Sequence, residues 1–327
     1  MASAAAPGMV GSITSMSAAG VAMGVDTMRS GGGNVKRPGF NSIMLVRHIA
    51  NHADNTTDAL ELIRTAQRGC PWFYPLCDAS GHCVVVEALA RMADGGPTDL
   101  NPLEYVNSNE KELKALLPTA DFIRAHAGQG VQWLEGAFVR GTEYSYPTEY
   151  LAYNEKLLAL ANMTYNASAF APGEHLFRNF TDEHAAQDRL CDNYFPPPRT
   201  VPGSDPNFVV VSNLALIPDI RITMMNDASD IMQALGGTAI QWRYDMLHGL
   251  VQDAAGSIDL ESAKHIITFL APDRTPGFWT NRLNPDDPMT AQIEGSITVA
   301  DLVTREMHVK AGYFTDAWIG VHLLAYL

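Results

Sequence analysis

Two stretches near the N-terminus decide the fold. The first reads Gly11-Ser-Ile-Thr-Ser-Met-Ser-Ala-Ala-Gly20-Val-Ala-Met-Gly-Val-Asp26, the second Trp72-Phe-Tyr-Pro-Leu-Cys-Asp78-Ala-Ser-Gly81-His-Cys-Val-Val-Val-Glu87. In each, apolar runs flank a turn centred on glycine, the signature of a β-hairpin. The run Cys83 to Glu87 carries three consecutive β-branched valines, Val84 to Val86, which predicts a strand buried on both faces, as in the centre of a layered fold. Between the hairpins the spacing turns helical. Ile43, Leu45, Val46, His48 and Ile49 give one helix from about Asn41. Asn51 to Asp54 is expected to interrupt it, and a second helix starts at Thr56 or Thr57 with Ala59, Leu60, Leu62 and Ile63 at helical spacing.

Outward from this block the pattern is less regular. Residues 1–10 are expected to be flexible and Ser30-Gly-Gly-Gly33 to be a loop. From 90 to 205 the pattern weakens, with helical stretches at Asn109–Leu117 and Tyr150–Ala161 and a proline-rich turn at Tyr194-Phe-Pro-Pro-Pro198. This segment reads as a largely helical insertion within one domain spanning 1–327, because proline and polar punctuation runs throughout. Core patterning returns at Phe208-Val-Val-Val-Ser-Asn213-Leu-Ala-Leu-Ile-Pro218. Helices are expected near Asp227–Leu235, Ile240–Gln252 and from Ser257 to Leu270, the last capped by Ser257 or Asp259. A closing hairpin, Gly295–Asp301 and Glu306–Lys310, turns at Thr304-Arg305, and the apolar C-terminal run from Ile319 reads as a final strand. No internal repeat is evident. Strands, paired helices and strands again, with antiparallel pairing forced, give an α+β layered sandwich with helices outside two sheets.

Composition limits the partners. The 327 residues are 46% hydrophobic and 18% charged, with a net charge of -14. An acidic surface repels phosphate backbones and anionic membranes, so nucleic acid is not an expected partner. No apolar run reaches the ~20 residues of a membrane span. Met1 to Gly8 lacks the basic and long apolar regions of a signal peptide. Yet sequons stand at Asn55, Asn162, Asn166 and Asn179, which suggests a secreted or lysosomal glycoprotein; a missing natural N-terminal segment would reconcile the two. The cysteines are Cys70, Cys77, Cys83 and Cys191. Cys77 and Cys83 could face each other, but four cysteines allow three pairings and each alone reads as a small buried hydrophobe. There is no CxxC and no HExxH, so neither a metal nor another cofactor is expected. No G-x-S-x-G elbow supports a serine triad. Gly31 to Gly33 lacks the ending of a phosphate loop. Asn226, Asp227 and Asp230 suit a helix start, and the histidines suit core or surface positions.

Several motifs occur in a telling order: Pro7-Gly-Met-Val-Gly11, Gly20-Val-Ala-Met-Gly, Leu45-Val-Arg47, Thr57-Asp-Ala-Leu-Glu61, Asp78 with Gly81 before Val84-Val-Val-Glu87, Val211-Ser-Asn213 and Trp242-Arg243-Tyr244. In this order the chain resembles the acyl-coenzyme A:6-aminopenicillanic acid acyltransferase-like family of N-terminal nucleophile hydrolases. The resemblance implies a four-layer αββα sandwich and an amide hydrolase or acyltransferase acting on a small-molecule amide or acyl substrate. Family members use the first residue of the mature chain, usually Cys, as nucleophile and its α-amino group, of pKa ~7.7–8.0, as base. Amide donors hold the oxyanion. Carried onto this chain, Asn213 is the candidate amide donor and Arg243 a candidate for binding a substrate carboxylate. Ser17 and Asp26 stand where the family has Asn. No Cys precedes Cys70, and Ser3 has no supporting motif. Two readings follow: a partial chain whose nucleophile lies upstream, which is favoured, or a catalytically inactive relative acting as a binding or scaffold protein, which Ser17 and Asp26 favour.

Overall fold

The structure, a computed structural model, describes residues 1–5, 9–28, 39–90, 131–133, 136–142, 144, 208–211, 247, 251–252, 254–269, 292–313 and 317–326. Its first sheet is antiparallel throughout. The strands are β1 (Ala2–Ala4), β2 (Thr14–Met16), β3 (Ala22–Gly24), β4 (Asp26–Thr27), β5 (Trp72–Cys77), β6 (Cys83–Ala88), β7 (Val131–Trp133) and β8 (Ala137–Arg140). They lie in the order β1-β2-β3-β5-β6-β8-β7, with β4 also beside β5. A second antiparallel sheet runs β11-β10-β9, with β9 Gln292–Asp301, β10 Glu306–Tyr313 and β11 Ile319–His322.

Both expected hairpins form, and their turns are alike. In each, Gly20 or Gly81 takes φ +87°, and its N–H donates to Ser17 O or Asp78 O at 3.0 Å. A three-residue loop ending in a left-handed residue matches the twist of the flanking strands, and glycine adopts that conformation without a Cβ clash. β6 lies between β5 and β8 and is buried from Val84 to Ala88, as its β-branched run predicts. The break between β3 and β4 has a local cause. Met23 pairs Leu76 and Asp26 pairs Phe73, so the interruption falls opposite Pro75, which has no N–H to give to a ladder.

Helix α1 (Ser42–His52) is capped by Asn41, whose side chain accepts from Ile43 N. Helix α2 (Thr56–Thr65) is capped by Asn55, whose side-chain oxygen accepts from Asp58 N at 2.9 Å. An Asn at this position satisfies a backbone donor that the helix itself cannot. The interruption is Ala53 to Asn55, slightly later than the polar residues suggest, because Asn51 and His52 still complete the last turn of α1. Leu45, Val46, Ile49, Ala59 and Ile63 pack with Met23, Tyr74, Leu76, Val84, Val86 and Val139 in one apolar core. Each fully buried Leu, Ile or Val contributes about 1.5–3 kcal/mol.

The other face of the first sheet meets the second sheet. Ala4 and Met16 cluster there with Met307 and Leu323, and Ala22 and Val309 pack against them. On β3, therefore, Met23 faces the helices and Ala22 the second sheet, as strand alternation requires. A third helix, α3 (Leu260–Phe269), runs along β9. Its cap is Asp259, which accepts from Ser262 N at 2.8 Å. The Lys264 ammonium stands 5.8 Å from the Trp318 ring centroid.

Several expectations need correction. Ala2–Ala4 is not loose but pairs with β2. Val131–Trp133 and Ala137–Arg140, inside the expected insertion, are strands of the first sheet. Phe208 to Val211 joins no ladder, although Val210 is buried. The final strand ends at His322, and Leu323–Tyr326 forms a 3-10 turn. Cys77 and Cys83 form a disulfide. They oppose each other in the β5–β6 ladder, next to the bonded Asp78–His82 pair, so they occupy the closer, non-hydrogen-bonded kind of pair. Cys70 is half-buried and its sulfur accepts from the Trp72 indole N–H. The expected helices at Asn109–Leu117, Tyr150–Ala161 and Asp227–Leu235, the turn at Tyr194 to Pro198, and Cys191 lie outside the described residues.

Candidate functional site

The face of the first sheet turned away from α1 and α2 is where polar groups collect. Register alone places them. Asp26 lies opposite Phe73, Phe73 opposite Glu87, and Glu87 opposite Phe138. Directly paired residues share a face, so these four form a row across β4, β5, β6 and β8. Arg140, two residues beyond Phe138, is on the same face.

Within this row the Arg140 guanidinium donates to Glu87 Oε1 at 2.9 Å and to Val210 O at 2.7 Å. The Glu87 side chain is 0% exposed and that of Arg140 3%. Removing two charges from water is costly, and the geometry offsets it with a direct ion pair and a further bond to a backbone carbonyl. The effect is positional: a buried charge on a central strand holds Val210, three residues before Asn213. Glu87 was visible in the sequence only as the end of an apolar run, and nothing in the surroundings of Arg140 singled it out. A carboxylate closing a β-branched run is the signal that could have marked a buried partner.

The candidate residues fall in different places. Asp26 is half-buried in the row just described. Ser17 is 3% exposed and sits in the β2–β3 turn, where its Oγ accepts from Val21 N at 3.1 Å. The hydroxyl thereby does the work of a turn cap, which a short side chain with one acceptor does well. Ser3 lies in β1, its Oγ 2.7 Å from Ser12 Oγ. Asn213 and Arg243 lie outside the described residues, as do Asn162, Asn166 and Asn179; Asn55 is the cap of α2. The structure thus pairs Glu87 with Arg140, sets Asp26 on the same face with Phe73 between it and Glu87, and places Ser17 at the far end of the β2–β3 hairpin.

That end of the hairpin is gripped from the second sheet. Arg305, itself left-handed at φ 63°, donates from Nε to Ala18 O at 2.9 Å and from Nη2 to Ala19 O at 2.7 Å. A Cβ on Gly20 would run into the Arg305 guanidinium, so glycine there serves both the turn and the close approach. Beside this grip is an apolar cavity of about 310 Å³ lined by Ala2, Ser3, Ala18, Met307, Val309 and Leu323. It lies where β1 and the β2–β3 turn meet the second sheet, and is large enough to bury a short apolar group.

Among the described residues no group of three or more His, Cys, Asp or Glu is placed to hold a metal ion. No helix among them is long and apolar enough to cross a membrane.

The comparisons with known proteins agree with the motifs. Residues 1–108 match the family described as acyl-coenzyme A:6-aminopenicillanic acid acyl-transferase. That stretch contains both hairpins and the helix pair between them. An uncharacterized protein of Archaeoglobus fulgidus is 24% identical over 316 residues, which are 97% of this chain and 36% of the relative. The chain thus spans about a third of the length of that curated relative. No solved structure matches.

Proposed function

We propose that the chain carries the core of an amide hydrolase or acyltransferase of the N-terminal nucleophile type, on a four-layer αββα sandwich. The observation that carries this reading is the match over residues 1–108, in which the hairpin, helix-pair and hairpin motifs occur in the family's order. The layering supports it: α1 and α2 cover one face of the first sheet, the second sheet covers the other, and α3 runs along β9.

In this reading the chemistry lies between the sheets. Asn213 donates its side-chain amide to the oxyanion, and the Arg140 hold on Val210 fixes the segment leading to it. Arg243 binds a carboxylate of the substrate. Asp26, on the row with Glu87, positions the site, and Ser17 keeps the β2–β3 turn closed. The apolar cavity beside Ala18 suits the acyl group of the substrate. The nucleophile is the terminal Cys, Ser or Thr of a mature chain, with its own α-amine as base.

The test uses protein isolated from its natural source. N-terminal sequencing and intact mass are followed by incubation with a panel of N-acyl amides bearing short apolar acyl groups. The expected result is a mature chain beginning with Cys, Ser or Thr, release of amine, and a covalent acyl adduct on that residue. Removing an oxyanion donor costs about 10²–10³ in kcat, so Asn213→Ala should lose activity on that scale while keeping the adduct site. A chain that begins at Met1 or Ala2 and releases no amine would overturn the enzymatic reading in favour of a binding or scaffold protein.

A further inference from the structure

Helix α1 carries a histidine pair on its exposed side that the catalytic reading does not use. His48 and His52 are four residues apart, which places them one above the other on the same helix face. Their ring centroids are 4.4 Å apart, with planes tilted by 38°. His48 is half-buried and His52 exposed. The His48 ring is backed on its other side by Phe40, stacked at 5.6 Å and 24°. His52 Nδ1 lies 2.7 Å from the His48 carbonyl oxygen. Because a carbonyl only accepts, that contact assigns the proton to Nδ1 and leaves Nε2 with a free lone pair. Metal-ligating histidines are oriented this way, the second ring N–H donating to a backbone carbonyl.

We propose that His48 and His52 form a two-histidine chelate for a divalent transition-metal ion of the zinc, nickel or copper class. A histidine pair at this helical spacing can present both imidazoles to one ion, the arrangement that metalloprotease helices use for zinc. Neutral imidazole suits these metals, and the absence of a carboxylate cage argues against calcium or magnesium. Two surroundings favour a cation here. The pair lies in the second half of α1 and ends it, where the helix dipole presents its negative end, and the chain has a net charge of -14. His48 lines a cleft of about 540 Å³ with Phe40, Leu62, Thr65 and Gln67, and His52 is exposed beside it on the same helix face. The cleft leaves room for waters or a small ligand to complete the coordination shell.

The test is calorimetric titration of the tag-free full chain with zinc chloride and, in parallel, with calcium chloride. The expected result is one zinc ion per chain and no calcium. Zinc affinity should fall roughly tenfold or more in His52→Ala and in His48→Phe. His48→Phe keeps a ring against Phe40 and removes only the nitrogen, so loss of binding without loss of the thermal unfolding transition isolates ligation from packing. Zinc binding that survives both substitutions combined, or no saturable binding up to about 1 mM zinc, would overturn the proposal. Neither result depends on whether the chain hydrolyses amides.

Discussion

The two hairpins of the first sheet have the same turn and different anchors. Ser17-Ala-Ala-Gly20 and Asp78-Ala-Ser-Gly81 both close over three residues on a glycine at φ +87°. The first is clasped by Arg305, 287 residues away in sequence. The second is fixed locally. Asp78 Oδ2 accepts from Thr56 N at the start of α2, Oδ1 accepts from Ser80 N and Oγ, and Cys77–Cys83 closes the strand ends. Local sequence therefore sets both turns, and only the first depends for its lock on a residue far along the chain.

The largest effect expected is on β6, the second hairpin's strand at the interior of the sheet. Glu87→Ala should cost about 3–5 kcal/mol in urea unfolding, because it leaves the Arg140 charge buried without its carboxylate. A loss below about 1 kcal/mol would mean the pair is not closed to solvent. Next comes the first turn. Gly20→Ala should cost about 2–3 kcal/mol, about 1–2 from the left-handed backbone and the rest from moving the Arg305 guanidinium off the Ala18 and Ala19 carbonyls. In an Arg305→Ala background the collision is gone, so a double-mutant cycle should recover about half of that cost. An unchanged cost would remove Arg305 from the account.

Reducing the Cys77–Cys83 disulfide should lower stability by about 2 kcal/mol, since it closes only a short loop. Unfolding with and without dithiothreitol checks this. Asp78→Asn should cost about 1–2 kcal/mol at pH 7. For Asp78, burial pushes the carboxyl pKa up, but hydrogen bonds from Ser80 and Thr56 outweigh it and hold the group well below the usual carboxylate range. The sign follows: its folded pKa is depressed, so its contribution is complete above about pH 4 and is lost as pH falls toward the folded value. The wild type should therefore lose more stability than Asp78→Asn between pH 5 and pH 2, by about the same 1–2 kcal/mol. Smallest is Gly81→Ala, at about 1 kcal/mol, because nothing lies within 4 Å of a Cβ there. Equal costs at Gly20 and Gly81 would erase the difference between the two hairpins.

What could be read in the sequence was what local chemistry determines. Gly20 and Gly81 marked the turns, Asn41 lay at the start of α1, and Leu45, Val46, Ile49, Ala59 and Ile63 gave the buried faces of the helices. Val84 to Glu87 announced a central strand. Several of the misses concern pairing partners that the local sequence does not name. Ala2–Ala4 reads as a small, featureless tail, and only the open edge of β2 makes it a strand. Ala137-Phe-Val-Arg140 is too short for its alternation to stand out from its surroundings, and β6 recruits it. The Glu87–Arg140 pair was illegible because neither residue's neighbours reveal a salt bridge spanning 53 residues. For the site, Asp26 and Ser17 were singled out by position in a motif, which could not show that Ser17 Oγ accepts from Val21 N.

The Arg305 clasp has a consequence for synthesis. Ribosomes add about 5–20 residues per second, so the Ser17–Gly20 turn waits roughly 15–60 s before residue 305 is made. During that interval the second hairpin can already be locked by Thr56 and its disulfide. The nascent chain should thus mature outward from the second hairpin, with the first hairpin left reversible until Arg305 is available to clasp it.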